Sequence, residues 1–500
     1  MILREIVNAL ETISVTGDTG ADITGIAYDS RKVTPGCLFV AMRGEKVDGH
    51  DYIKDAARRG AVAVICENPL SGRLTEGMDI LSPPTLVRVR DARLALASAA
   101  NVFFMNPSSA LAVAGITGTN GKTTTSYLLK SILEAWGKKV GLIGTIQYMI
   151  GEEIFTATHT TPESLEFQEL ISHMRAAGCS HVVSEVSSHA LAQKRVDCTT
   201  FATAVFTNLT RDHLDFHKTM EDYYQAKTRL FTELLSAERQ SIINQDDPYG
   251  RRLSGALRQL GRKVRTYGLE AGPDLLACDI GTSFAGLKFK IVAEGRRYDI
   301  TSPLVGLPNV YNILSAAGAA RALDIPWEAI LEGIRTSGNV RGRFEKVDAG
   351  QRFLAVVDFA HTEDALERLI YTAKGLTKGK VITVFGCGGD RDRGKRARMG
   401  AIATRLSDFV LITSDNPRSE DPGEIMREIV AGAARRNYLT EPDRAEAIRR
   451  AVLIAGDNDI VIVAGKGHEQ YQETGGTRIA FNDREVLEKS IKRLIANNNK

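Results

Sequence analysis

The residues best suited to chemistry stand in GITGTNGKTTT, residues 115–125. Gly118 and Gly121 let backbone N–H groups turn toward one anion, and Lys122 follows with an ammonium at the start of a helix-forming stretch. The anion such a loop holds is a nucleotide β/γ-phosphate, with the Thr123 hydroxyl placed to ligate Mg²⁺. The pattern is not the generic G-x-x-x-x-G-K-[ST], because Ile116 stands where the first small residue belongs. A glycine turn that only joined strand to helix would not need the Lys-Thr-Thr that follows.

Downstream, HVVSEVSSHAL reads as a strand ending at Glu185, and FATAVFTNLTRDH as another followed by Asp212 and His213. In an open parallel sheet ligands sit beyond the carboxyl ends of the strands. Glutamate suits hard Mg²⁺, whereas histidine is a less usual Mg²⁺ ligand. The next helix opens with Thr219 as N-cap and Asp222 three residues on, a capping-box pattern. Tyr223, Lys227, Leu230, Phe231 and Leu234 share one face of it. Two accounts fit Lys227: a snorkelling side chain on an apolar face, or a poorly solvated amine that has captured CO₂ to become an oxygen-ligating carbamate.

A third stretch, DNPRSEDP from Asp415, follows the apolar run DFVLITS. Asn-Pro is a turn dipeptide that pulls Asn416 out of helical geometry. The turn is expected to offer Asp415 and Arg418, one charge of each sign, to solvent.

The elements that must position these groups are legible in outline. A chain of 500 residues exceeds one ordinary core and implies roughly two to four domains. The 43% apolar and 25% charged fractions are those of a globular protein, and a net charge of +3 favours neither nucleic acid nor an anionic membrane as partner. No apolar run approaches the roughly 18 residues of a membrane span, and no signal-like segment opens the chain. Six scattered cysteines show neither metal spacing nor disulfide density. A reduced, cytoplasmic protein without membrane insertion is expected, and a monomer. Pro-Pro and a short strand, with Asp91 as the next helix's N-cap, place a first boundary near 91; SGNVRGRFEKV (337–347) places a second. Short Val/Ile-rich runs alternating with amphipathic stretches predict an α/β fold with largely parallel sheets. Three domains follow: a small mixed α/β domain (1–91), a central P-loop parallel-sheet ATPase domain (92–338) and a C-terminal Rossmann-like domain (339–500). In the last of these, four apolar runs each end in a polar loop: VVDFAHTED, ITVFGCGGDRD, LITSDNPR and IVIVAGKGHE.

GITGTNGKTTT, SEVSSHAL, TNLTRDHLDFH and YYQAKTRLF, continued by GLPNVYN, GRFE, DFAHTEDAL, GCGGDRDRGKR and GKGHE, resemble the Mur ligase family over nearly the whole chain. These are ATP-dependent amide-bond ligases of peptidoglycan synthesis that work through an acyl phosphate. The resemblance implies ATP contacts at Gly118, Thr119, Asn120, Gly121, Lys122, Thr123, Thr124, Asn312, Arg343 and Asp358. It implies catalytic roles for Lys122, His213 and an N6-carboxylated Lys227, and Mg²⁺ held by Thr123, Glu185, His213 and Lys227.

The first segment resembles the uridine-nucleotide-binding domain of members that extend a UDP-linked muramoyl peptide. Ser30, Thr160, Thr161, Ser187, Gln193 and Arg195 match contacts to that acceptor. DNPR resembles the motif of members that add meso-diaminopimelate to UDP-MurNAc-L-Ala-D-Glu. Asp415 would then bind the distal ammonium and Arg418 the distal carboxylate, with Arg391, Asn416, Pro417, Gly465 and Glu469 as the other contacts. L-lysine, the substrate of a sister group, has no distal carboxylate and would leave Arg418 unpaired. A folylpolyglutamate synthetase would share the ATP loop but not the first segment or DNPR. Phe359 and Glu363 depart from the family's D-Y-A-H-T-P-D form, which has Tyr and Pro there.

Overall fold

Alternating and continuous apolar runs become strands as their patterns require. A computed structural model describes residues 1–44, 47–68, 83–270 and 272–498. The chain forms two units: Met1–Gly115 with Lys138–Ala204 and Ala226–Arg239, and Ile116–Gly137 with Val205–Gln225 and Gln240–Lys500.

In the first unit a five-stranded sheet runs in the order Thr12–Thr16, Thr85–Val89, Ala63–Cys66, Cys37–Val40, Gly25–Ala27. Only the first pair is antiparallel. CLFV and AVIC are buried at every residue, because Leu38, Val40, Ala63 and Ile65 pack on one face and Phe39 and Val64 on the other. A parallel sheet covered on both faces needs such continuous apolar strands. Asp91 caps the helix Ala92–Phe103 by accepting from the Leu94 N–H at 2.9 Å. The same unit holds His181–Glu185 parallel to Val140–Ile143, which is followed by two antiparallel strands, Gln147–Ile150 and Glu153–Thr156.

In the second unit the helix Lys122–Ala135 packs on Leu307–Ala322 and Trp327–Thr336. Residues 241–244 pair in parallel with Val264–Gly268, and Leu275–Ser283 continues in parallel. Gly286–Ala293 and Arg296–Ser302 then return antiparallel. The expectation of largely parallel sheets therefore holds away from these edges; short hairpins, which need no crossover helix, finish them.

The last sheet has the order Glu345–Lys346, Leu354–Asp358, Ile460–Ala464, Val381–Phe385, Phe409–Thr413, Tyr438–Glu441, all parallel after the first pair. Ile460–Ala464, late in sequence, inserts between two earlier strands. The carboxyl ends of Leu354–Asp358, Val381–Phe385, Phe409–Thr413 and Ile460–Ala464 therefore lie side by side, with their four polar loops beyond them. An exposed hairpin, Tyr471–Thr474 with Thr477–Ala480, follows. Among the described residues no helix is long and apolar enough to cross a membrane.

Candidate active site

The glycine loop has the conformation its sequence demands. Gly118 and Gly121 have φ of +144° and +88°; a Cβ on Gly118 would lie 1.9 Å from Thr207 Oγ1, and one on Gly121 2.4 Å from Asn312 Oδ1. Only glycine permits both the torsion and the approach. The Lys122 ammonium donates to the carbonyls of Gly118 and Thr119, both at 3.0 Å, and so lies over the loop. Thr119 N–H donates to Asn208 O (2.8 Å) and Asn120 N–H to Asn208 Oδ1 (3.0 Å). The loop is thus pinned from a neighbouring strand end. Its helix begins at Lys122 without a side-chain cap hydrogen bond, and a helix amino terminus is where an anion is favoured.

Beside it lies a cavity of about 280 Å³ lined by Asn120, Gly121, Thr123, Thr124, Asn312, Arg343 and Asp358, among others. The geometry brings these predicted ATP residues together. Arg343 Nη2 donates to Thr123 Oγ1 at 3.2 Å, and its guanidinium lies 4.9 Å over the Phe359 ring. Phe359 therefore supplies the π-face that Tyr would, without a hydroxyl. Asp358 accepts from the N–H groups of Phe344 (2.6 Å) and Ala360 (2.7 Å); burial pushes its carboxyl above the ordinary range, against the pull of Arg343. Glu363 opens the helix Glu363–Lys374, where the family's proline would also fit, and pairs with Arg398 at 3.3 Å.

Asp246, Tyr311 and Arg368 also line this cavity, and sequence reasoning missed them. Tyr311 OH donates to Asp246 Oδ2 at 2.8 Å, while Asp364 accepts from both Arg368 Nε and Asn120 Nδ2 at 2.8 Å. Tyr311 had one signal, its place beside Asn312 in GLPNVYN; Asp246 and Arg368 had none.

The predicted metal and carbamate residues are distributed over both units. Glu185 is fully buried at its strand's end, accepting from Thr145 N–H and Oγ1, both at 2.9 Å. Lys227 is 1% exposed on the helix Met220–Arg229. That helix opens with the expected cap: Asp222 N–H donates to Thr219 Oγ1 (3.1 Å) and Thr219 Oγ1 to Asp222 Oδ2 (2.7 Å). His213, half-buried, has left-handed backbone (φ +53°) and lies 3.3 Å from Asp212. Among the described residues no group of three or more His, Cys, Asp or Glu could hold a metal by itself.

In the first unit Thr160, Thr161, Ser187, Gln193 and Arg195 form one hydrogen-bonded group. Thr161 Oγ1 donates to Glu185 O (2.8 Å) and accepts from Ser187 N–H (3.1 Å), while Thr160 meets Thr145 Oγ1 at 3.1 Å. Arg195 donates to Thr161 O (3.0 Å) and Gln193 Oε1 (2.7 Å) and pairs with Glu163 (2.8 Å). Arg195, expected to contact the UDP-linked acceptor, thus already has a carboxylate partner in Glu163. Ser30 is buried in a turn whose Tyr28 donates to Glu166 at 2.8 Å.

The DNPR turn departs from its expected exposure. Asp415 and Asn416 are buried, at 9% and 1% exposed, and Arg418 is half-buried with φ of +52°. The loop after Val381–Phe385 lies directly on the turn: Gly389 N–H donates to Asn416 O (2.9 Å), and a Cβ on Gly389 would be 1.9 Å from Pro417 O. Arg418 Nη1 donates to Gly389 O at 2.6 Å, which fixes the plane of the guanidinium. Asn416 Nδ2 donates to Glu469 (2.8 Å), and its Oδ1 accepts from Lys466 Nζ (2.9 Å). Lys466, fully buried, also pairs with Glu469 at 2.9 Å; it was missed because only its motif, not its partner 50 residues away, could be read. Gly465 N–H donates to Asp358 O (3.0 Å), tying neighbouring strand ends, and Arg391 is exposed on the Gly389 loop. Asp415 and Arg418 thus lie beyond the carboxyl end of Phe409–Thr413, and Gly465 and Glu469 beyond that of Ile460–Ala464, with Val381–Phe385 between the two strands.

Family models match along the chain: "Mur ligase family, catalytic domain" over 22–112, "Mur ligase middle domain" over 116–320 and "Mur ligase, glutamate ligase domain" over 342–467. The UDP-N-acetylmuramoyl-L-alanyl-D-glutamate--2,6-diaminopimelate ligase of Solibacter usitatus is 49% identical over 479 residues, 94% of each chain. A solved structure of a ligase of that name is 32% identical with a TM-score of 0.70, covering 99% of both chains. The MurF ligase of Thermotoga maritima in complex with ADP is 18% identical with a TM-score of 0.63, covering 96% and 99%, and shares the fold. With its three α/β domains, the chain belongs to the Mur ligase family of ATP-dependent, ADP-forming ligases.

Proposed function

We propose that the chain joins the amino group of meso-2,6-diaminopimelate to the D-glutamate carboxyl of UDP-MurNAc-L-Ala-D-Glu, as the names of its relatives describe for them. The observation that carries the reading is that one turn beyond the strand ends holds Asp415 and Arg418, with Asn416 between them bound by Glu469 and Lys466 and the Arg418 guanidinium bound by Gly389 O. An ammonium and a carboxylate at the far end of a diamino acid match that pair, and a planar guanidinium suits a carboxylate. In this reading residues 1–91 take the uridine nucleotide, 92–338 ATP and 339–500 the amino acid, in the cytoplasm.

The carboxylate attacks the γ-phosphorus of ATP and ADP leaves; the neutral amine then attacks the acyl carbon, and inorganic phosphate departs with the carboxyl oxygen. Lys122 and the loop N–H groups stabilise the charge on the transferring phosphoryl group. Thr123 and Glu185, with hard oxygen donors, would hold one Mg²⁺, and His213 with a carbamate on the buried Lys227 amine would hold a second. Those ions would supply charge neutralisation as the two anions approach.

The test is phosphate release with UDP-MurNAc-L-Ala-D-Glu and ATP, comparing meso-diaminopimelate with L-lysine at equal concentration. Strong preference for diaminopimelate is expected. Equal rates or a preference for L-lysine would leave a ligase in which Arg418 does another job.

A further inference from the structure

The hairpin Tyr471–Thr474/Thr477–Ala480 has almost no core of its own. The second strand is exposed throughout, and the first is at best half-buried. An isolated two-stranded hairpin is marginal in water, so its contacts elsewhere explain its persistence. Those contacts fall on the DNPR turn. Arg418 N–H donates to Glu473 O at 3.0 Å and Gly475 N–H to Arg418 O at 2.6 Å, a parallel bridge centred on Thr474. Glu473 N–H donates to Asn416 Oδ1 at 3.0 Å, and Gln472 Nε2 to Asp415 O at 2.8 Å. Each residue of Gln472–Gly475 except Thr474 therefore makes a hydrogen bond to Asp415, Asn416 or Arg418. Two of these bonds hold the backbone of Arg418 on both sides of a left-handed torsion that a non-glycine residue rarely adopts. Without them Arg418 would relax to negative φ, and its guanidinium would leave the plane set by Gly389.

We infer that this hairpin is a specificity element for the distal end of the amino-acid substrate, acting by positioning Asp415 and Arg418 rather than by touching the reacting atoms. The inference rests on the function proposed above. DNPR without the hairpin would be charged but misaimed, since a site about 1 Å too loose loses most of its benefit.

Tyr471 and Ala480 face each other in the register, so replacing residues 472–479 by Gly-Gly closes the gap without moving the flanks. In that variant KM for diaminopimelate should rise about tenfold or more while KM for ATP stays within about twofold, and the preference over L-lysine should shrink. Gln472→Ala, which keeps the hairpin, should raise KM for diaminopimelate roughly threefold to tenfold, one hydrogen bond's worth, and it decides the matter if the truncated chain fails to fold. An unchanged KM for diaminopimelate in Gln472→Ala and in a folded truncated chain would overturn the inference. A wild-type enzyme that does not prefer diaminopimelate would instead overturn the proposed function, so the two failures are separable.

Discussion

Arg418 places the sharpest demand on one side chain. Its guanidinium is fixed by Gly389 O on one edge, and in the proposed function a planar substrate carboxylate meets the other. Lysine would restore the charge but not the fork, so Arg418→Lys should raise KM for diaminopimelate about tenfold or more, with KM for ATP little changed. Steady-state kinetics against each substrate check this; an unmoved KM for diaminopimelate removes Arg418 from the substrate site. Lys227 bears the other single-residue prediction. Lys227→Ala should lower turnover by roughly a hundredfold or more while far-UV circular dichroism is retained, and added formate or acetate should restore part of it by supplying the missing carboxylate. Full activity without rescue would show that the buried amine is only packing.

At the scale of elements, local sequence chemistry does what it should. The Thr219–Asp222 cap starts the helix that carries Lys227, and Thr219→Ala should weaken that start by about 1 kcal/mol. Hydrogen exchange at Asp222 and Tyr223 is the measurement, because a local loss in a chain of several domains is diluted in a global melt. Faster exchange confined to the first turn is expected; uniform exchange across the helix would mean that tertiary packing alone holds it. Asp91 behaves likewise: it caps its helix and pairs with Lys194 at 2.8 Å.

For the whole molecule, His468 adds its own pH dependence to that of the carboxylates. Burial pushes the His468 imidazole from its ordinary 6.5 down to about 3, with Arg343, Arg341 and His361 adding repulsion. The unfolded chain therefore takes up a proton that the folded chain refuses between pH 6.5 and 3. The stabilisation is complete above 6.5 and is lost as pH falls through that window. Glu420, held at about 2 chiefly by the Arg396 hydrogen bond, acts only below its ordinary 4.5. Urea midpoints between pH 6.5 and 5 should accordingly fall on acidification, and His468→Gln should flatten the slope; an unchanged slope would assign it to other groups.

The sequence by itself determined the glycine loop, the strands that end at Glu185 and Asp358, the caps at Asp91 and Thr219, and the four loops beyond the last sheet. Each rests on residues within a few positions of one another, where torsional preference and spacing act directly. The tertiary structure alone decided that Asp415 is buried rather than offered to solvent, that Glu163 occupies Arg195, and that Lys466 braces Asn416 and Glu469. It alone placed Asp246, Tyr311 and Arg368 on the cavity beside the glycine loop and set a hairpin more than 50 residues downstream against Arg418. These contacts pay loop-closure entropy over long stretches of chain, and no local pattern marks which partner repays it.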